Sequence, residues 1–268
     1  MSIVSNISSK LYYRTLDCLI PTTRAKLQDS FKDKRNIFIY FDYEREFSGH
    51  ETNITDSNIK YILELLKDFG IKATWFTVGK IINKYPDSIY EIIKHHHEIG
   101  SHTYSHIPPF ESSNRELKED FRLFDQDTQK FNSISGFHSP RGQWALKMYK
   151  YLKQYGFIYE VVGSRKYKYL NPVFLNYGYK KKIIRLKTVG DDWLLYKSRY
   201  TTEEVLDFFI GQSNMIQKGE FAGIGFHPWL LFSDNNILNG FELFLQYLNS
   251  NDEFQFKSIN YFINSIED

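Results

Sequence analysis

A single cysteine, Cys18, is the only thiol in 268 residues. This excludes an internal disulfide framework and a cysteine-ligated zinc knuckle, and it fits a reducing compartment. Net charge is equally sparse. The 34 basic and 32 acidic residues leave +2, which gives no reason to expect nucleic acid or an anionic membrane as partner. No apolar run reaches the ~18 residues that a membrane span needs. The first ten residues lack the charged, then apolar, then small-residue order of an export signal. The expectation is a soluble, cytoplasmic chain without a transmembrane segment.

What is abundant is apolar and aromatic. At 42% hydrophobic content, a chain of this length can bury a substantial core, as one large α/β domain. Tyr, Phe and Trp (20, 23 and 4 residues) make up 18% of the chain. Most of these rings belong to packing, and a minority can line a sugar-binding groove.

Periodicity then divides the chain. Residues 1–35 read as a peripheral segment with a weak helical pattern over 11–27, broken at Pro21; residues 36–268 read as the working domain. Strands are expected at 36–41, where a short continuous apolar run indicates burial on both faces, and at 73–78, 98–101, 134–137, 157–162, 183–189 and 222–226. Helices are expected between them at 55–69, 79–85, 87–96, 114–131, 144–155 and 202–217, with a last one at 240–249. The basic, tyrosine-rich stretch 164–182, with Lys180, Lys181 and Lys182 in a row, reads as a solvated surface excursion. His95, His96 and His97 read as a polar cap at a helix end in preference to a metal cluster. Serial strand–helix units imply a parallel sheet, doubly wound or closed as a barrel.

The polar residues with chemical potential fall on one part of that map. His102 and His106 lie four apart, separated by small or hydroxyl residues and Tyr104; two imidazoles so spaced can share a divalent metal with a carboxylate and a water. Asp42 and Glu44, two apart at the end of the first strand, project to one side while Tyr43 points away. Together with the turn at Pro140, the pair Asp191 and Asp192, and His227, they all sit just after a strand's C-terminal end. In parallel α/β folds that is the rim where sites are built.

From Asn36 to Tyr261 these motifs, five in order, resemble the polysaccharide deacetylases, which remove N-acetyl or O-acetyl groups from sugars. The resemblance implies an irregular (β/α)7 barrel of mainly parallel strands and a divalent metal, with Zn2+ the expected ion. It implies His102 and His106 as metal ligands, Asp42 as general base, His227 as general acid, and Asp191 or Asp192 as the carboxylate that orients His227. It also implies an oxyanion-binding backbone amide after Pro140, at Arg141. Trp193 and Trp229, flanking two of the motifs, read as apolar walls for the acetyl methyl and a sugar face, with core packing as the alternative.

Two positions depart from the family pattern. Tyr43 stands where the family places its metal-binding aspartate, so the same-face argument makes Glu44 the substitute ligand. His138 stands where the family has an arginine that steadies the base, and Arg141 is the nearest residue able to supply that charge instead. Three functional classes follow: deacetylation of a sugar, with an intracellular nucleotide- or lipid-linked glycan precursor as the expected substrate; hydrolysis of a non-sugar C–N bond on the same fold; or a non-catalytic glycan-binding relative.

Overall fold

Asn36 to Phe41 places apolar or aromatic side chains on both faces of an extended segment, which is stable only where both faces are covered. In the computed structural model, which describes residues 20–50, 52–131, 134–143, 145–163, 170–176 and 182–266, this segment is the middle of a nine-residue strand. The strands in chain order are β1 (Thr22–Arg24), β2 (Arg35–Tyr43), β3 (Thr74–Thr77), β4 (Glu98–Ser101), β5 (Gly136–His138), β6 (Tyr159–Gly163), β7 (Val173–Leu175), β8 (Ile183–Asp191), β9 (Phe221–Phe226) and β10 (Phe254–Phe256). Seven of them close into a parallel ring, β2-β3-β4-β5-β6-β8-β9, with β9 returning to β2. The irregular (β/α)7 barrel expected from the sequence is therefore present. Its irregularity is visible at β2, whose residues 40–43 pair with β3 while residues 35–37 pair with β10.

The helices are α1 (Asp56–Asp68), α2 (Gly79–Lys84), α3 (Pro86–Lys94), α4 (Asn114–Thr128), α5 (Met148–Gln154), α6 (Thr202–Ser213), α7 (Pro228–Leu231), α8 (Asn235–Ser250) and α9 (Ile259–Ser265). Capping boxes start three of them, at Thr55/Asn58, Ser113/Glu116 and Thr201/Glu204, because a side-chain oxygen satisfies an otherwise unpaired first-turn amide. Ile59, Ile62, Leu63 and Leu66 of α1 pack into the apolar layer between barrel and helices.

The barrel interior explains the aromatic content. Large rings on one strand lie over glycines on its neighbour. A Cβ at Gly223 would stand 2.3 Å from the Phe38 ring, at Gly225 2.3 Å from Tyr40, at Gly100 2.5 Å from Phe76, and at Gly136 2.2 Å from the Tyr159 hydroxyl. Below them Phe31, Phe221 and Phe262 pack ring on ring, Phe221 and Phe262 stacked at 4.4 Å. Phe31 ties residues 29–31 firmly to the barrel floor, since it is fully buried there.

Several boundaries differ from expectation. Of the helical pattern over 11–27, residues 22–24 form β1, antiparallel to β7, and residues 1–19 lie outside the described residues. The stretch 164–182 contributes β7, while 164–169 and 177–181, with Lys180 and Lys181, lie outside them. The last long helix begins at Asn235, earlier than expected, because the Asp234 side chain caps it by accepting from the Asn236 amide. Strand β10 and helix α9 were not anticipated; both are too short to show periodicity.

The histidine trio does three separate jobs. His95 lies against the Glu91 carbonyl and the Glu64 carboxylate, and His96 takes a left-handed turn (φ 60°). His97 is buried and accepts the Ala73 amide at Nδ1, 3.0 Å away. Burial pushes the His97 imidazole down to about 3. The folded protein thus keeps His97 neutral where the unfolded chain protonates it, so stability is lost as pH falls below about 6.5 toward 3. The expected outcome is a loss of roughly 2 kcal/mol between pH 6.5 and 5 in urea titrations, shrinking in His97→Gln, whose amide oxygen can still accept from Ala73.

The ring-over-glycine packing has its own test. Gly225→Ala must displace the Tyr40 ring and is expected to cost about 1–3 kcal/mol. Gly211→Ala, on α6 with open space around it, is expected to gain about 0.5–1 kcal/mol. Chemical denaturation of both variants reads the contrast.

Candidate metal and catalytic centre

The C-terminal ends of β2, β4, β5, β8 and β9 deliver the site. Alternation along β2 sends Asp42 and Glu44 to the mouth of the barrel and Tyr43 outward, where it packs on Trp75 and meets the Ser88 hydroxyl at 2.8 Å. Arg45 locks this turn. It adopts a left-handed backbone (φ 48°), donates from Nε to the Tyr43 hydroxyl at 2.6 Å, pairs with Asp56, and lies 3.7 Å over the Tyr85 ring.

Glu44, His102 and His106 converge: one ligand atom from each lies within 4.8 Å of the others. Glu44 Oε1 is 3.4 Å from His102 Nε2 and 3.0 Å from His106 Nε2. Both Nε2 atoms are buried and lack a hydrogen-bond partner; the approach to the carboxylate is close but not aligned as a hydrogen bond. His102 Nδ1 lies 2.8 Å from the His138 carbonyl. A carbonyl can only accept, so Nδ1 carries the proton and Nε2 presents its lone pair to the site, the arrangement of a metal-binding imidazole. Burial pushes the His102 imidazole below its ordinary range, favouring that neutral form. Burial drives Glu44 upward, but His102 and His106 outweigh it and hold the carboxyl well below the usual range. Its second oxygen accepts the Trp229 indole N–H at 3.0 Å. Two buried imidazole Nε2 atoms and one carboxylate oxygen, converging on one point, fit a divalent ion such as Zn2+.

Asp42 sits beside this triad. Its Oδ1 is 3.7 Å from His102 Nδ1, and its Oδ2 is 3.5 Å from His138 Nε2 and 3.7 Å from His227 Nε2. Burial opposes ionisation, yet His138, His102 and His227 together hold the carboxyl below its usual value. In return Asp42 raises His138 above the ordinary imidazole range against the downward pull of burial.

A bulge between β8 and β9 near Thr188 and Gly190 separates the roles of the two aspartates. Asp191 caps the short 3-10 turn Asp192–Leu195 by accepting the Trp193 amide. Asp192 turns inward and accepts from the His227 amide at 2.8 Å and from His227 Nδ1 at 2.5 Å. Burial pushes Asp192 up to about 6. Burial likewise opposes the charge on His227, but Asp192 prevails and raises that imidazole well above its ordinary range.

Of the residues singled out in the sequence, Asp42, Glu44, His102, His106, Asp192 and His227 share one centre, with Trp229 touching Glu44. Asp191 stands at its edge. Trp193 is 40% exposed at the rim. Pro140 opens the 3-10 turn Pro140–Gly142 and is buried, and Arg141 has a left-handed backbone within that turn. The Arg141 guanidinium is directed to Glu111, 3.5 Å away on the exposed side; the charge facing Asp42 comes from His138 instead. Two further residues near the site lie outside the motifs. The His50 ring lies 5.2, 4.9 and 5.3 Å from the rings of Trp193, Tyr196 and Trp229, completing an aromatic wall beside His227. Asp120 was also missed, although an acid on the apolar stripe Leu117, Phe121, Phe124 is a readable anomaly.

Residues 30–159 match the family model for polysaccharide deacetylase. A peptidoglycan-N-acetylglucosamine deacetylase from Bacillus cereus is 34% identical over 59 residues, 22% of this chain and 28% of that protein. A peptidoglycan deacetylase from Helicobacter pylori is 25% identical over 140 residues, 51% of this chain and 46% of that one. In both pairings the match spans less than half of the relative's own length. A crystal structure of a Mycobacterium smegmatis protein assigned to the polysaccharide deacetylases has the same fold, with a TM-score of 0.70 at 15% identity over 90% of this chain and 93% of that one. The seven-stranded barrel, the motifs at its mouth and the family-model match over residues 30–159 agree in what this chain is similar to: the polysaccharide deacetylases.

Proposed function

We propose that this protein is a metal-dependent hydrolase that removes an acetyl group, on nitrogen in preference to oxygen, from a sugar of a surface glycan or its precursor. The observation that carries the reading is the convergence of Glu44 with the unpartnered Nε2 atoms of His102 and His106, flanked by Asp42 and His227. Glu44, His102 and His106 would hold the ion. When bound, a divalent metal supplies Lewis acidity that makes water a better nucleophile and draws charge from the acetyl carbonyl.

The chain's own residues then account for the protons. Asp42, kept ionised among three imidazoles, accepts the proton of the attacking water. His227, held protonated by Asp192, donates to the sugar nitrogen as the C–N bond breaks. Acetate and a free amine result, and the proton taken up at Asp42 replaces the one given by His227. The pairing of a protonated imidazole with the base favours an amide substrate, since an amine leaves poorly without protonation. The Arg141 amide after Pro140 is assigned to the oxyanion, where one such donor contributes roughly 3 kcal/mol in characterised hydrolases. Trp193, exposed at the rim, offers apolar surface to a sugar face, and Trp229 lies buried behind it with its indole N–H on Glu44.

The deciding experiment is metal analysis of the purified protein followed by acetate-release assays on N-acetylated sugars and glycan fragments. Bound divalent metal with acetate release is the expected result, and a protein that binds metal yet releases no acetate from any of them overturns the deacetylase reading. Glu44→Ala is expected to lose most bound metal; full retention would transfer the carboxylate ligand role to Asp42. His227→Ala is expected to keep its metal while kcat falls by at least about 100-fold, and undiminished turnover would remove His227 from the acid role.

A further inference from the structure

Between Ser101 at the end of β4 and Asn114 at the start of α4, the chain that carries both histidines has no regular secondary structure. It also holds two non-glycine residues in the left-handed region, Thr103 (φ 61°) and His106 (φ 59°). That conformation is unfavourable for a side-chain-bearing residue and persists only where surroundings impose it. His106 is itself a ligand in the proposed centre, so whatever imposes its backbone also aims its ring.

The surroundings are specific. Asp120, buried on the inner face of α4, accepts the Tyr104 amide at 2.6 Å on one oxygen and the Ser105 amide at 2.9 Å on the other. From the opposite side the Gly79 and Lys80 amides at the start of α2 donate to the Thr103 and Tyr104 carbonyls at 2.9 and 3.0 Å. The Thr103 hydroxyl accepts the Ile107 amide at 3.0 Å, closing the turn around His106. There is no slack at the contact, since a Cβ at Gly79 would stand 2.5 Å from the Tyr104 ring. A carboxylate binding consecutive amides makes two charge-assisted hydrogen bonds at once. It fixes the peptide planes midway between His102 and His106, and with them the distance between the two rings.

We propose that Asp120 is a positioning residue for the metal centre, setting its affinity by holding His106 in register with His102 and Glu44. This rests on the reading of Glu44, His102 and His106 as ligands. It places an energetic determinant of metal binding on a helix that contributes no ligand, through amides that touch no metal. Outer-shell partners of this kind typically control affinity by about 10–100-fold.

The test compares the wild-type protein with Asp120→Asn and Asp120→Ala. Asp120→Asn keeps the shape but turns an NH2 toward one of the two amides. Zn2+ affinity is measured by chelator competition, hydrogen exchange of the Tyr104 and Ser105 amides is followed in the metal-free protein, and Glu119→Gln on the exposed face of α4 serves as control. The expected result is a Kd for Zn2+ raised about 10–100-fold in both Asp120 variants, faster exchange at both amides, and an unchanged Kd in Glu119→Gln. At saturating metal the kcat for acetate release should stay within a few-fold of wild type, because no reacting group is altered. Folded variants with wild-type Kd overturn the proposal. So does a loss of folding in both variants, which would make Asp120 a stability residue. A wild type that binds no divalent ion, with the amides still protected by Asp120, overturns the metal reading itself and is distinguished by that protection.

Discussion

The close approach of the Glu44 carboxylate to two imidazole nitrogens, at 3.0 and 3.4 Å inside a buried mouth, is the constraint around which the rest of the site is arranged. An ionised carboxylate taken out of water is costly unless opposite charge or donors compensate it. Here the compensation comes from the Trp229 indole N–H, from the charge of nearby His227, and on the proposed reading from an ion. Each supporting feature serves to keep those three groups in place: the His138 carbonyl orients His102, the Arg45 clamp turns Tyr43 outward so that Glu44 turns inward, and Asp120 shapes the loop of His106.

A second layer of the arrangement concerns protons. Asp42 and Asp192 are both buried aspartates, yet their environments push them in opposite directions. Three imidazoles surround Asp42 and hold it down. Asp192 has the single partner His227, and burial carries it up to about 6. Separated environments for two carboxylates at one site are how a single fold runs base and acid chemistry at the same pH. The bulge at Thr188 and Gly190 matters for this reason: a one-residue irregularity decides that Asp192, and not Asp191, lies behind His227.

The barrel and the convergence of Glu44, His102 and His106 were legible in the sequence because each rests on a local pattern. Apolar runs ending in polar residues mark the strand tips, and two-residue alternation puts Asp42 and Glu44 on one side. What was not legible depends on geometry that spacing does not encode. The choice between Asp191 and Asp192 turns on a bulge. The direction of the Arg141 guanidinium depends on Glu111, thirty residues earlier in the chain. His50 joins Trp193, Tyr196 and Trp229 only because the loops after β2 and β8 meet over β9. The start of α8 was placed late because its first turn is polar and its signal lies in the Asp234 cap.

His138 shows how the site and the barrel interior are coupled. Its ring stacks at 18° on His102 and meets Tyr40 and Phe76 edge-on or tilted, at 5.2 and 5.4 Å. An imidazole is smaller than the arginine suggested by the family pattern, and the rings of Tyr40 and Phe76 fill the layer beneath it. These are the rings that require Gly225 and Gly100 on the adjacent strands. His138 donates from Nδ1 to the Val161 carbonyl at 2.8 Å, which leaves only Nε2 to face Asp42, while its own carbonyl orients His102. One residue therefore sets the electrostatics of Asp42 through its side chain and the tautomer of His102 through its backbone. Restoring an arginine would alter the first and leave the second intact, but only where the aromatic layer below could yield the space.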